Sequence, residues 1–245
     1  MYSLYKKNEI YFGLVWVIIY CTVSVFIRDK FGDQSIIMLI SLALIAGAIG
    51  IFIKKHHLEE KYGLNKYPKN RARYLYFIPV WVLTTGNLWG GLHLSYSGIY
   101  QVFSVLSMFL IGYIEEVIFR GFLFKAILKK DGPAKSITIV AITFGMGHII
   151  NLFAGQRDLE TISQIFFALA WGFMFTIIFY KSKSLLPCIF AHGMIDAFSK
   201  FSKNNQTFEG IYIIATIFVA VFYCTYLLKL KDKKDFESYK NRDCI

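Results

Sequence analysis

Apolar residues in this chain come in blocks of about 16 to 20, separated by short Lys-rich gaps, and roughly 20 apolar residues are what a helix needs to cross the hydrocarbon core of a bilayer. That alternation constrains the fold more than any other feature. Eight spans are expected, at 11–27, 35–53, 74–92, 99–124, 137–153, 162–180, 185–201 and 211–228. A soluble domain averages roughly 25% charged residues. Here 18% are charged and 56% hydrophobic, with a mean hydropathy of +0.49. Too little polar surface remains to cover a soluble globule of 245 residues. The expected architecture is an all-α, polytopic membrane helical bundle forming a single integral membrane domain over 1–245.

The net charge of +11 raises the possibility of nucleic acid, but the basic residues sit in the gaps between apolar blocks rather than on a polar domain. Twenty-one of the 27 Lys and Arg residues fall at the N-terminus, in 54–73, in 125–135, in 181–184 and in the tail from Lys229. The alternate gaps hold Arg28, Lys30, Arg157, Lys200 and Lys203. The excess of cations on cytoplasmic loops then places both termini in the cytoplasm. The expected partners are the bilayer and a membrane-associated protein or peptide, with no nucleic acid. Cys21, Cys188, Cys224 and Cys244 show no CxxC spacing, so neither a disulfide framework nor a zinc knuckle is expected. No small-residue cleavage site follows 11–27, so that block is read as a span rather than a signal peptide.

Ionisable side chains at membrane depth are costly and mark functional sites. In this chain they concentrate in three spans: Glu115, Glu116 and Arg120; His148; and His192 with Asp196. Glu116 and Arg120 are four residues apart with the acid first, the favourable order for an intrahelical ion pair. Glu115 lies about 100° around the helix and has no such partner on its own helix. Glu116 is therefore read as the structural partner of Arg120, and Glu115 as the free carboxylate. At 1.5 Å per residue, Glu115 is expected about 24 Å from the outer end of its span, and His192 about 10 Å from the inner end of its own. His148 falls about 17 Å in from its cytoplasmic start, so all three are expected to share a cavity in the cytoplasmic half. Gly145 and Gly147 flank His148 and would let neighbouring helices approach.

These residues stand in recognisable strings. IGYIEEVIFRGFLF (111–124) resembles the EExxxR motif of the CAAX-protease and bacteriocin-processing family of intramembrane proteases. ITFGMGHIINL (142–152) resembles its FxxxH motif, and IFAHGMID (189–196) its HxxxN/D motif. The three occur in the family's order, and the similarity covers about 103–200. The resemblance implies an intramembrane endopeptidase, similar to the type II CAAX prenyl endopeptidases. By the same carry-over, Glu115 activates a water that His148 helps to hold, while His192 and Asp196 stabilise the oxyanion. Where the family accepts Asn or Asp, this chain has Asp196, and an ionised carboxylate only accepts hydrogen bonds. Asp196 must then be protonated, orient His192 or help bind a metal. The cofactor stays open: a metal-free reaction is favoured, with zinc on Glu115, His148 and His192 as the alternative.

A non-enzymatic membrane scaffold or immunity protein of the same fold is the first alternative function, and a proton-coupled carrier the second. No glycine-rich nucleotide loop or internal repeat supports a transporter. High Ile, Lys, Phe and Tyr usage suggests a low-GC bacterium and its plasma membrane, hence bacteriocin or pheromone maturation or self-immunity. His56, His57 and His93 are read as interfacial, most Phe and Tyr as lipid-facing or belt residues, and Pro79 and Pro187 as kinks.

Overall fold

The computed structural model describes residues 1–149 and 158–230, with side chains 158–160 excepted. Within them the chain is helical, apart from an isolated antiparallel bridge between Leu92 and Ser202. A short α1 (Tyr2–Lys7) leads into α2 (Glu9–Phe31) and α3 (Ile36–Lys55). Then come α4 (Ile78–Thr84), α5 (Ile99–Glu116), α6 (Lys125–Asp131) and α7 (Pro133–Gly147). The last three are α8 (Asp158–Ser182), α9 (Leu186–Ser199) and α10 (Gln206–Lys229). Among the described residues five helices are long and apolar enough to cross a membrane: Glu9–Phe31, Ile36–Lys55, Ile99–Asp131, Thr161–Ser182 and Gln206–Lys229. The end of the expected fifth span (150–153), Arg157 and the tail from 231 with Cys244 lie outside the described residues.

Local chemistry sets the boundaries. The Asn8 side chain accepts from the amides of Ile10 and Tyr11 and caps α2, and Ser35 Oγ accepts from Met38 N and caps α3. Between them Gly32 turns at φ 79°, a left-handed conformation suited to glycine. The expected third span is not one helix. Leu75, Tyr76 and Phe77 have φ of 52°, 52° and 58°, which a regular helix excludes. Thr84 and Thr85 hydroxyls then donate back to the carbonyls of Trp81 and Val82 at 2.7 and 2.8 Å, tightening the end of α4. Pro79 and Pro187 do not kink helices either. Both stand in first turns, of α4 and α9, where a missing amide costs no intrahelical bond. The fourth span runs past its expected end at 124. A π-helical stretch, Val117–Phe124, carries α5 into α6, so the continuous helix is Ile99–Asp131 and Glu115 stands near its middle.

Glycines bring the central helices into backbone contact. A Cβ on Gly112 of α5 would stand 2.6 Å from the amide nitrogen and 2.9 Å from the Cα of Gly193 in α9. A Cβ on Gly172 of α8 would stand 3.1 Å from the Cα of Ala141 in α7. With no hydrophobic force between helices in lipid, such close approach is a main source of their association.

The loops sort to two ends of the bundle. At one end the rings of Tyr2 and His56 stack at 3.7 Å, and Lys61 pairs with Glu9. Tyr74 Oη donates to Lys181 O, Leu185 N donates to Gly63 O, and Lys181 Nζ donates to Leu230 O. This basic end gathers the N-terminus, segment 54–74, Lys125 and the 181–186 turn. At the far end Lys200 Nζ donates to Asp33 at 2.5 Å, and Ser95 N donates to Lys200 O.

Gly112→Val should lower accumulation in the membrane and the thermal midpoint of the solubilised protein, because backbone atoms of α9 cannot move aside cheaply. Gly47→Ala, where nothing lies within 4 Å of the added carbon, should change neither. Equal midpoints for the two variants in a thermal-shift assay would contradict the role given to the α5–α9 crossing.

Candidate active site

The Gly112–Gly193 crossing sets one turn of α5, carrying Glu115 and Glu116, against the turn of α9 that carries His192. Glu116 and Arg120 are fully buried, with Nη1 of the guanidinium 2.9 Å from Glu116 Oε1. The same Oε1 lies 2.8 Å from His192 Nδ1. A carboxylate oxygen accepts, so Nδ1 carries the proton and Nε2 is the nitrogen turned to the site. The ring is walled by Phe144 and Phe175, each with its centroid 5.8 Å away. The Arg120 guanidinium lies over the Phe144 ring at 4.1 Å, a cation–π contact out of water. Glu116 therefore does more than pair with Arg120: it also fixes the rotation of His192.

His192 Nε2 faces two other carboxylates, Asp196 Oδ2 at 3.5 Å and Glu115 Oε2 at 3.7 Å. Both are longer than a good hydrogen bond, leaving the three groups around a common space. Glu115 is held from another helix. Tyr20 of α2 donates its hydroxyl to Glu115 Oε1 at 2.6 Å, which aims Oε2 at His192. At the end of α7, His148 Nδ1 lies 3.1 Å from Phe144 O. A carbonyl only accepts, so His148 Nε2 is left as an acceptor when the ring is neutral.

These groups line one cavity of about 320 Å³. Glu115, His148, His192 and Asp196 meet there, joined by Tyr20, Cys21, Ser24, Arg28, Asp33, Gln164 and Lys200. Side-chain exposure rises from 0% at Glu116 through 9% at His192 and 14% at Glu115 to 27% at Asp196. The cavity runs from Glu115, near the middle of Ile99–Asp131, to Asp33 and Lys200 at the far end, rather than lying within the basic half. The fourth span is longer than expected, and the helices lining the site turn their polar residues toward Asp33 and Lys200. His56 stacks on Tyr2 at the basic end, outside the site. His57 and His93 do not line the cavity either.

Sequence reasoning missed Tyr20, Gln164 and the Asp33–Lys200 pair. Tyr20 is one of 16 tyrosines in an apolar chain, and nothing in its neighbours marks it. Lys200 and Arg28 were read as loop charges. The polar spacing of Tyr20, Ser24 and Arg28, one per turn in an otherwise apolar helix, is the signal that would have found this face.

Residues 99–198 match the family model described as Type II CAAX prenyl endopeptidase Rce1-like. This segment is Rce1-like. The likeness read from three short motifs therefore holds across the segment that bears the cavity's central residues, and the matched family is one of proteases. Together with the five long apolar helices among the described residues, the likeness of this segment fits a multi-pass membrane protein. No curated protein and no solved structure matches the chain. Among the described residues no three His, Cys, Asp or Glu side chains converge closely enough to hold an ion.

Glu116→Ala and Arg120→Ala should each lower membrane accumulation, since breaking a buried ion pair from one side costs about 3–5 kcal/mol. Quantitative immunoblotting of membranes is the check. Normal accumulation of both variants would show that the pair is not needed to hold the bundle.

Proposed function

We propose that the protein is an intramembrane endopeptidase in which Glu115 activates a water molecule against a peptide bond. The convergence of Glu115, His148, His192 and Asp196 on one cavity between apolar helices carries this reading. An ionised Glu115 takes a proton from the water as its oxygen attacks the carbonyl carbon. His148 Nε2, an acceptor, orients the water's second hydrogen. The carbonyl oxygen becomes an oxyanion facing His192 Nε2; with Nδ1–H held by Glu116, Nε2 donates to it in the doubly protonated form of the ring, and each such preorganised donor contributes about 3 kcal/mol. When the C–N bond breaks, the proton on Glu115 passes to the leaving amine, and the carboxylate is restored. Asp196 orients His192 or, protonated, donates to the oxyanion. No metal enters these steps.

The chain is read as passing the membrane eight times, with α4, α7 and α9 as the short passes and both termini on the cytoplasmic side. The N-terminus and Leu230 share the basic end, as an even number of passes requires. Substrates are membrane-associated proteins or peptide precursors. In a bacterial plasma membrane such cleavage would serve bacteriocin or pheromone maturation or self-immunity.

Glu115→Ala should accumulate normally and cut nothing. Normal processing of a native substrate by that variant, read from the membrane peptidome of cells carrying it, would remove the protease reading. Asp196→Asn should keep substantial activity without metal, because an amide still accepts and adds donors. One tightly bound zinc per active chain, lost together with activity in Asp196→Asn, would show instead that the reaction runs on a metal.

Tyr20→Phe should slow cleavage about ten- to hundredfold through kcat, with KM little changed, given that a hydrogen bond to a charged group contributes about 1.5–3 kcal/mol. Steady-state kinetics beside an abundance control separate this from misfolding. An unchanged kcat would mean that the phenol does not position Glu115.

A further inference from the structure

A side pocket of about 60 Å³ adjoins the main cavity. The two spaces share Phe144, His148, Gln164, His192 and Asp196, so these groups stand at their junction. Among the described residues none from α2 lines the side pocket. Gln164 therefore lies on the His192 side of the main cavity, across from Tyr20, Cys21 and Ser24. Among the described residues no other carboxamide lines either space.

Helix packing fixes that placement. Gln164, Phe167, Ala168, Trp171 and Phe175 all line the side pocket and fall at i, i+3, i+4, i+7 and i+11, one face of α8. Ala168, Trp171 and Phe175 are buried. A Cβ on Gly145 of α7 would stand 2.5 Å from Leu169 Cγ and 3.1 Å from Leu169 N. The two helices thus meet closely within a turn and a half of both His148 and Gln164.

An oxyanion needs hydrogen-bond donors, and the other groups around it are already engaged or conditional. Tyr20 directs its hydroxyl hydrogen to Glu115, and Ser199 Oγ donates to Asp196 O at 2.6 Å. His148 and His192 each hold Nδ1 against an acceptor, so either Nε2 donates only from a doubly protonated ring. An ionised Asp196 only accepts. Cys21 and Ser24 carry S–H and O–H groups, but from α2, across the cavity. A carboxamide is neutral and offers two N–H donors, of which one suffices.

We propose that Gln164 is a catalytic residue whose Nε2–H donates to the substrate's carbonyl oxygen as negative charge develops on it, beside His192. No proton is transferred in this contact. The oxyanion is then supported whether the His192 ring carries one proton or two, and Asp196 is left to orient the imidazole. This deepens the endopeptidase reading and rests on it.

The test compares membrane peptidomes of cells carrying the unaltered chain or Glu115→Ala, and takes a synthetic, internally quenched peptide spanning a site cut only by the former. Purified full-length protein is then assayed on that peptide. Gln164→Leu should lower kcat about a hundredfold or more with KM little changed, since losing one oxyanion donor costs about 10²–10³ in rate. Gln164→Glu keeps the shape but replaces the donor with an acceptor, and should lose at least as much. Adding Asp196→Asn supplies an amide from the α9 wall, and should raise the kcat of either Gln164 variant about tenfold, the size of coupling expected of two groups serving one atom.

Thermal midpoints accompany each assay, and where Gln164→Leu lowers the midpoint, Gln164→Glu and its double variant decide. An unaltered kcat in the Gln164 variants would overturn the proposal. So would a loss confined to KM, or one that Asp196→Asn does not relieve, since either assigns Gln164 to binding or packing. If no site depends on Glu115, the endopeptidase reading falls and the role of Gln164 with it. Glu115-dependent cutting that ignores Gln164 removes this proposal alone.

Discussion

A single carboxylate oxygen, Oε1 of Glu116, holds together the parts on which the site depends. It binds Arg120 on its own helix and His192 on α9, with no exposure to solvent. In lipid or in a dry protein interior such a charge is stable only when it is paired and hydrogen-bonded. The arrangement is therefore all-or-none: guanidinium, carboxylate and imidazole must assemble together. Phe144 and Phe175 complete the enclosure, one beneath the guanidinium and both against the imidazole. The neighbouring Glu115, one position earlier on the helix, is left with a different environment. It meets a phenol, a more distant imidazole and open cavity.

That difference explains how two adjacent glutamates come to differ in character without any difference in residue type. A rotation of about 100° between them turns Glu116 into the packed core and Glu115 into the cavity. The π-helical stretch that follows at Val117–Phe124 is a recurrent feature of functional sites in helices, and here it lies where Arg120 folds back onto Glu116. Close approach at Gly112 and Gly193 gives the reach: a bulkier pair would push α9 away and take His192 Nδ1 beyond bonding distance of Glu116.

The cavity's shape sets a second level of organisation. Polar residues face it from α2 and α9 toward the Asp33–Lys200 rim, while aromatic packing among Phe12, Phe52, Tyr62 and Phe122 closes the basic end. The bundle is thus filled asymmetrically, polar-lined along the cavity and aromatic toward the basic end, with helices alone.

The membrane-embedded helical class, the five long apolar helices and the identity of the ionisable residues were legible in the sequence, because hydropathy blocks and the rarity of buried charge are local properties. The i,i+4 relation of Glu116 to Arg120 was legible for the same reason: helical geometry alone decides it. The break at 74–92 was not, since an apolar string does not reveal left-handed residues or hydroxyls that bond back to the preceding turn. Nor was the continuation of the fourth span to Asp131, which moved Glu115 to mid-helix. Tyr20, the second bond of Glu116 and the extent of the cavity were decided by tertiary structure alone. Each depends on which face of one helix meets which face of another, and residues 95 positions apart in the chain, such as Tyr20 and Glu115, carry no local sign of their contact.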